Sequence, residues 1–212
     1  MDVATFKKYC VDLPLDVLLQ KYIIDTDSYF FQTIEKDTID EFDFKKDIAE
    51  TLNVHVRDII IVGSGKLGFS LKPTITKAQK TVYNFFSFDF KWKLNNTNKK
   101  SDLDVAIISS ELFDRQFVNL YNESSYYRHD YVEEWGFGKR SDFAKYLLKG
   151  RLATRFLPTK LKLSDEIKSV QEKYQIMFGR EINIEIYKSW YFFETYHTNH
   201  LSSINLNLIS SL

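Results

Sequence analysis

The sequence predicts an α+β fold, a small mixed β-sheet with flanking helices, and three observations carry that expectation. Two short apolar runs, Ile59-Ile60-Ile61-Val62 and Asp102 to Ser109, read as buried strands. In residues 182–187, Ile182, Ile184 and Ile186 alternate with Asn183, Glu185 and Tyr187, the period of a third strand. Around these runs apolar residues recur at helical spacing, so helices packed on a sheet is the expected architecture. No repeat and no Pro/Ser-rich linker divides the 212 residues, which predicts one domain. Residues 1–43 read as a helical appendage to it and residues 72–100 as an insertion.

The elements follow in order. Leu13 to Ile24 has a Pro/Asp start and helical spacing, and residues 40–54 predict a second helix, with Asp43 as cap and Phe44, Ile48 and Leu52 on one face. That helix runs into the strand at 59–62. Residues 71–80 read as loop. Phe86, Phe88, Phe90, Trp92 and Leu94 then alternate with Ser87, Asp89, Lys91 and Lys93, which predicts a two-faced strand. A polar turn at 95–101 precedes the strand from Asp102, and a helix follows over 109–123, capped by Ser109 or Ser110. Residues 126–138 read as aromatic and irregular, and 141–158 as helical up to Gly150 and ending at Pro158. A capped amphipathic helix spans 163–179 with Gly179 as its stop. The stretch from Ser189 is helical before it frays.

Composition narrows the function classes. Aromatic residues make up 16% of the chain, with 18 Phe and 13 Tyr, too many for a disordered segment. The single cysteine, Cys10, excludes an internal disulfide framework and a cysteine-based zinc site. The N-terminus lacks a basic start with an apolar core, and no run approaches the roughly 18 apolar residues of a membrane span, so a soluble cytoplasmic protein with no membrane partner is expected. The net charge of zero conceals an asymmetry: residues 1–58 carry 13 acidic and 7 basic side chains, the remainder 16 and 22. A basic remainder permits contact with a nucleotide or nucleic acid.

Three of the seven glycines lie in Ile59 to Leu71, "IIIVGSGKLGFSL". A Walker loop is excluded, because Gly65-Lys66 is followed by Leu67 and the position five before Gly65 is Ile60. Gly63, Gly65 and Gly68 match the dinucleotide pattern, but that needs an acidic ribose ligand about 20 residues on. The residue there, Asp89, falls in the middle of the alternating run. More informative is "SDLDVAII". Asp102 and Asp104 lie two apart at the start of a strand, so both carboxylates share a face, and an oxygen-preferring divalent cation is the usual reason to tolerate such a pair. The alternative is that Asp102 caps a turn and Asp104 is solvated.

Together, Gly63-Ser64 after one strand and Ser101-Asp102-Leu103-Asp104-Val105 on another resemble the nucleotidyltransferase superfamily of the DNA polymerase β type, and in particular minimal bacterial members. The resemblance covers residues 44–110 and implies a nucleotidyltransferase-type fold for the single domain. It implies that Gly63 and Ser64 bind the β/γ-phosphates of a nucleoside triphosphate such as ATP, and that Asp102 and Asp104 hold Mg2+ or Mn2+. It calls for a third carboxylate on a later strand, as metal ligand or base, for which Glu185 is the candidate. The implied activity is nucleotidyl transfer to a hydroxyl of protein, RNA or another nucleotide. Small relatives occur in toxin–antitoxin and antiviral defence systems, which implies a protein partner encoded nearby. The alternative is a catalytically degenerate nucleotide-binding or partner-binding module of the same fold. One departure stands out: Ser64 and Asp102 are 38 positions apart, where the superfamily has about a dozen.

Lys66 is within reach of a phosphate on this loop and is a further nucleotide-binding candidate. Arg128-His129-Asp130 reads as surface, the pair His197 and His200 as structural, and Tyr126, Tyr127 and Trp135 as core or lid. The basic series Lys139, Arg140, Lys145, Lys149, Arg151 and Arg155 reads as a solvated face or a surface for RNA or a nucleotide tail.

Overall fold

The two apolar runs lie side by side. In the computed structural model, which describes residues 1–77, 79–128, 135–157, 161 and 164–210, they form β1 (Ile59–Val62) and β4 (Leu103–Ile108). With β5 (Arg151–Ala153) and β6 (Ile182–Tyr187) they make a four-stranded sheet of order β1-β4-β6-β5. All four residues of β1 are buried, as a strand with no polar position requires. β5 pairs antiparallel with β6 in the register Arg151 to Tyr187 and Ala153 to Glu185. A second, two-stranded antiparallel sheet pairs β2 (Pro73–Ile75) with β3 (Thr81–Tyr83). The protein is therefore mixed α+β. No helix among the described residues is long and apolar enough to cross a membrane.

The chain divides into two compact units. One comprises Met1–Glu41, Ile61–Asp104 and Glu194–Leu212, the other Phe42–Ile60 and Val105–Phe193. The first contains α1 (Val3–Asp12), α2 (Leu15–Leu19), α4 (Gly63–Leu67), the β2–β3 hairpin and α5 (Phe90–Lys93). Its core joins Phe6, Cys10, Leu18, Leu19 and Ile23 to Leu67, Phe69, Tyr83 and Phe85, and to Leu201 and Ile204 near the C-terminus. Phe6 meets Phe69 edge-on at 5.3 Å and Phe85 at 6.2 Å, geometry in which aromatic rings attract beyond simple burial. The N-terminal helices are thus part of the core that carries the glycine loop.

In the second unit α3 (Glu41–Leu52) buries Phe44, Ile48 and Leu52, the face its spacing predicts. Phe44 packs against Tyr174 and Phe178 of α8 (Asp165–Phe178). The Tyr174 hydroxyl and Lys173 ammonium both donate to the Asp47 carboxylate, at 2.8 and 2.7 Å. Ser109 caps α6 (Ser110–Glu123) by accepting from the Leu112 amide. Gly179, left-handed at φ +58°, ends α8 as expected. The unit also holds α7 (Phe137–Leu148), and α9 (Trp190–Ile209) closes the chain.

The predicted strand over residues 86–94 does not form. Phe85, Asp89 and Asn95 have positive φ, which breaks any extended run, and α5 occupies Phe90–Lys93. The aromatic residues serve separate clusters instead of one face. Phe85 joins the core, Phe88 packs against Tyr29 and Phe30, and Phe86 stacks on Phe90 at 4.6 Å across the turn between them. Residues 71–80, read as loop, contain β2. Pro158, the expected helix stop, lies outside the described residues; within the preceding stretch α7 ends at Leu148 and β5 intervenes.

Candidate functional site

The site is built where β1 gives way to α4. Gly63, the first residue after the strand, has φ +67°, a conformation that costs a residue with a Cβ about 1–2 kcal/mol. A Cβ there would also lie 2.8 Å from Oδ2 of Asp104. The loop therefore backs directly onto the second carboxylate of "SDLDV", a contact only glycine permits. Gly65, one turn position later, is as tight: a Cβ would stand 2.7 Å from Cδ1 of Leu103. Leu103 and Val105 are buried while Asp102 and Asp104 are half-buried, so the period-two alternation leaves both acids on the less buried face.

The 38-position gap is closed by the insertion folding back on the loop. The Phe88 amide donates to the Gly68 carbonyl at 2.8 Å and the Ser70 amide to the Phe86 carbonyl at 2.8 Å, around an antiparallel bridge between Phe69 and Ser87. Asp89 then clamps the far end. It is buried, its Oδ1 accepts from the Ser101 amide at 2.7 Å, and the Ser101 hydroxyl accepts from the Asp89 amide at 3.1 Å. Ser101 precedes Asp102, so the clamp sets where the first carboxylate begins. Asp89, considered above only as a ribose ligand, is instead a positioning residue. Its sequence signal was the lone acid in a segment otherwise holding seven lysines, Lys72 to Lys100.

As a result Ser64 and Asp102 line one cavity of about 440 Å³, together with Lys72, Lys91, Lys99 and Lys100. Phe86, Phe90 and Trp92 contribute its apolar wall. Four ammonium groups around a concave surface make a field that concentrates phosphate-bearing ligands. These four differ from the basic candidates expected from sequence, Lys66 and the series in residues 139–155. The signal was available in composition: residues 72–100 carry seven lysines against a single acid.

Two candidates are engaged otherwise than expected. Lys66 is 3% exposed and absent from the cavity lining; its ammonium donates to the carbonyls of Ile24, at 3.4 Å, and Thr26. It ties the loop to the end of a π-helical turn in the N-terminal segment, in place of the phosphate contact expected of it. Glu185, the expected third carboxylate, is 2% exposed on β6 and bound by Arg151, with Arg155 Nη1 3.7 Å away. Arg151 lies over the rings of Tyr146 and Tyr187, which fixes the guanidinium on Glu185. Its charge is thus already matched, which removes the reason for a cation there. Among the described residues no group of three or more His, Cys, Asp or Glu side chains is placed to hold a metal ion. Asp102 lines the cavity, whereas Asp104 is absent from its lining and lies against Gly63.

Several of the other candidates have structural partners. Arg151 of the basic series is buried and paired, and Lys145 pairs with Asp142. Trp135 is buried and donates to the Phe156 carbonyl. His200 contacts the Leu71 carbonyl at 3.1 Å. His129 and Asp130 lie outside the described residues. No protein-family model, curated protein or solved structure matches the chain.

Proposed function

We propose that the chain binds a nucleoside triphosphate with a divalent cation in the lysine-lined cavity and transfers its nucleotidyl group to a hydroxyl. The observation that carries this reading is the convergence of Ser64, Asp102 and four lysines on one cavity, with Asp104 packed against Gly63. Two carboxylates suffice for the metal chemistry invoked. Mg2+ characteristically retains waters and is held by one or two carboxylates plus substrate phosphates, so a closed protein cage is not required. When bound, the ion would neutralise the triphosphate and favour an ionised acceptor oxygen. The chain's own part is to hold: Ser64 and the lysines grip phosphate oxygens, and Asp102 and Asp104 orient the cation-bearing triphosphate. The acceptor oxygen bonds to the α-phosphorus, the α–β bridging P–O bond breaks, and pyrophosphate leaves while the hydroxyl proton passes to solvent. A hydroxyl of protein, RNA or another nucleotide is the proposed acceptor, and a defence or stress role with a partner encoded nearby is part of the same proposal.

A second reading is favoured by one observation. Glu185, the candidate third carboxylate, is bound by Arg151, which removes it as a base, and the fold then serves as a nucleotide-binding module without turnover. Incubation with γ-labelled nucleoside triphosphate and Mg2+ separates the two. Pyrophosphate release lost in Asp102→Asn and Asp104→Asn supports transfer. Binding without release supports the module, and release that survives both substitutions refutes the assignment of the carboxylates.

A further inference from the structure

Besides lysines, the cavity wall carries rings, and neither the Gly-Ser loop nor the carboxylate pair accounts for them. Trp92 is 40% exposed and Phe86 43% exposed, although both are large apolar side chains within a segment that buries Phe85 and Phe88. Both line the cavity. Phe86 is held by its stack on Phe90 at 4.6 Å and 20° between planes, so its orientation is set before any ligand arrives. Lys100 Nζ lies 5.6 Å from the Trp92 ring centroid, which presents a cation and an indole together. A site for inorganic phosphate alone has no use for exposed indole and phenyl faces. A nucleotide has both a phosphate chain and a flat base, and base–aromatic stacking works for any base.

We infer that Trp92, with the Phe86–Phe90 stack beside it, is the nucleobase platform of the cavity, so that its ligand is a nucleotide held by base and phosphates together. The insertion over residues 72–100 is then the element that discriminates a nucleotide from other polyphosphates. This inference rests on the nucleotide-binding reading above, and the probes below fail separately for the two.

The chain has three tryptophans, of which Trp135 is buried and Trp190 donates to Asp58 at 3.0 Å. Trp92 is the one placed on the cavity wall, so its fluorescence reports stacking. Wild-type protein is titrated with ATP, with inorganic tripolyphosphate and with a short oligoadenylate, each with Mg2+. ATP is expected to quench the indole emission, tripolyphosphate to bind without quenching, and Trp92→Phe to abolish the quench. Trp92→Leu is expected to weaken ATP binding roughly tenfold or more while leaving tripolyphosphate within about twofold, as a lost base stack predicts. Trp92→Phe, which keeps a ring, restores most of the affinity. Oligoadenylate binding tighter than ATP assigns the stacked base to a strand end, and weaker binding to a free nucleotide; both support the platform. Equal binding of ATP and tripolyphosphate, or unchanged ATP binding in Trp92→Leu, overturns the inference and leaves the phosphate site standing. Failure of both polyphosphates to bind overturns the nucleotide-binding reading as well.

Discussion

Replacing Gly63 with alanine tests the junction between loop and carboxylate. At φ +67° an alanine pays about 1–2 kcal/mol of backbone strain. Its Cβ would meet Asp104 Oδ2 at 2.8 Å, closer than real Cβ contacts, so the carboxylate must shift as well. For a chain of this size, each kcal/mol lowers the melting temperature by about 2–4 °C, which puts the expected drop at about 2–8 °C. Displacing a residue that orients a bound ion typically weakens binding about 10- to 100-fold, and that is the expected loss for Mg2+-ATP. Gly65→Ala is the control. It meets Leu103 Cδ1 at 2.7 Å, an overpacking cost of about 1–3 kcal/mol, but touches no carboxylate. Thermal melts and calorimetric titrations of the two variants and wild type make the comparison. Both variants should melt lower, and only Gly63→Ala should lose nucleotide affinity. A Gly63→Ala protein that melts and binds like wild type would refute the contact on which the site is built.

Further consequences are equally checkable. Lys66→Met strands the carbonyls of Ile24 and Thr26, and urea unfolding should show a loss of about 1–3 kcal/mol; full stability with lost nucleotide affinity would return Lys66 to the phosphates. Asp89→Ala removes the side-chain half of the clamp on Ser101 and strands the Ser101 amide, so it should lower stability by a similar amount, about 1–3 kcal/mol, and weaken Mg2+-ATP binding without changing any group that lines the cavity. Burial raises the Asp47 carboxyl, but hydrogen bonds from Lys173 and Tyr174 outweigh it and hold the group below its ordinary value. Its stabilisation is therefore present above about pH 4 and lost as pH falls, and Asp47→Asn should flatten the acid limb of a stability–pH curve. Burial pushes the Cys10 thiol up to about 12, so iodoacetamide should label it at neutral pH only as fast as the first unit opens; rapid labelling would contradict its burial.

Much of the scaffold was legible because it obeys simple periods. β1 and β4 are continuous apolar runs and α3 and α8 bury one face each, so local pattern and tertiary burial agree there; β6 alternates in sequence yet buries Glu185 and Tyr187 along with its isoleucines. Ser109 and Gly179 punctuate helices where capping physics places them. The insertion was not legible, because its alternating aromatics imitate a strand. What overrides the pattern is non-local: Asp89 turns left-handed to meet the Ser101 amide twelve residues away, and the rings disperse into three clusters. β5 is three residues long and follows a helix, too short to announce itself. At the site, the period of two singles out Asp102 and Asp104 and the resemblance adds Gly63 and Ser64, whereas the fates of Lys66 and Glu185 depend on partners distant in sequence. Thr26 lies 40 residues from Lys66 and Arg151 34 from Glu185, and no local pattern encodes such pairings. The lysines and Trp92 of the cavity come together only once the insertion folds back.

The most direct test is calorimetric titration of wild type, Ser64→Ala and Asp104→Asn with ATP, with and without Mg2+. The account predicts saturable, Mg2+-dependent binding by wild type, weakened in Ser64→Ala and stripped of its Mg2+ dependence in Asp104→Asn. Absence of binding by folded wild type, or binding that neither substitution alters, would contradict it.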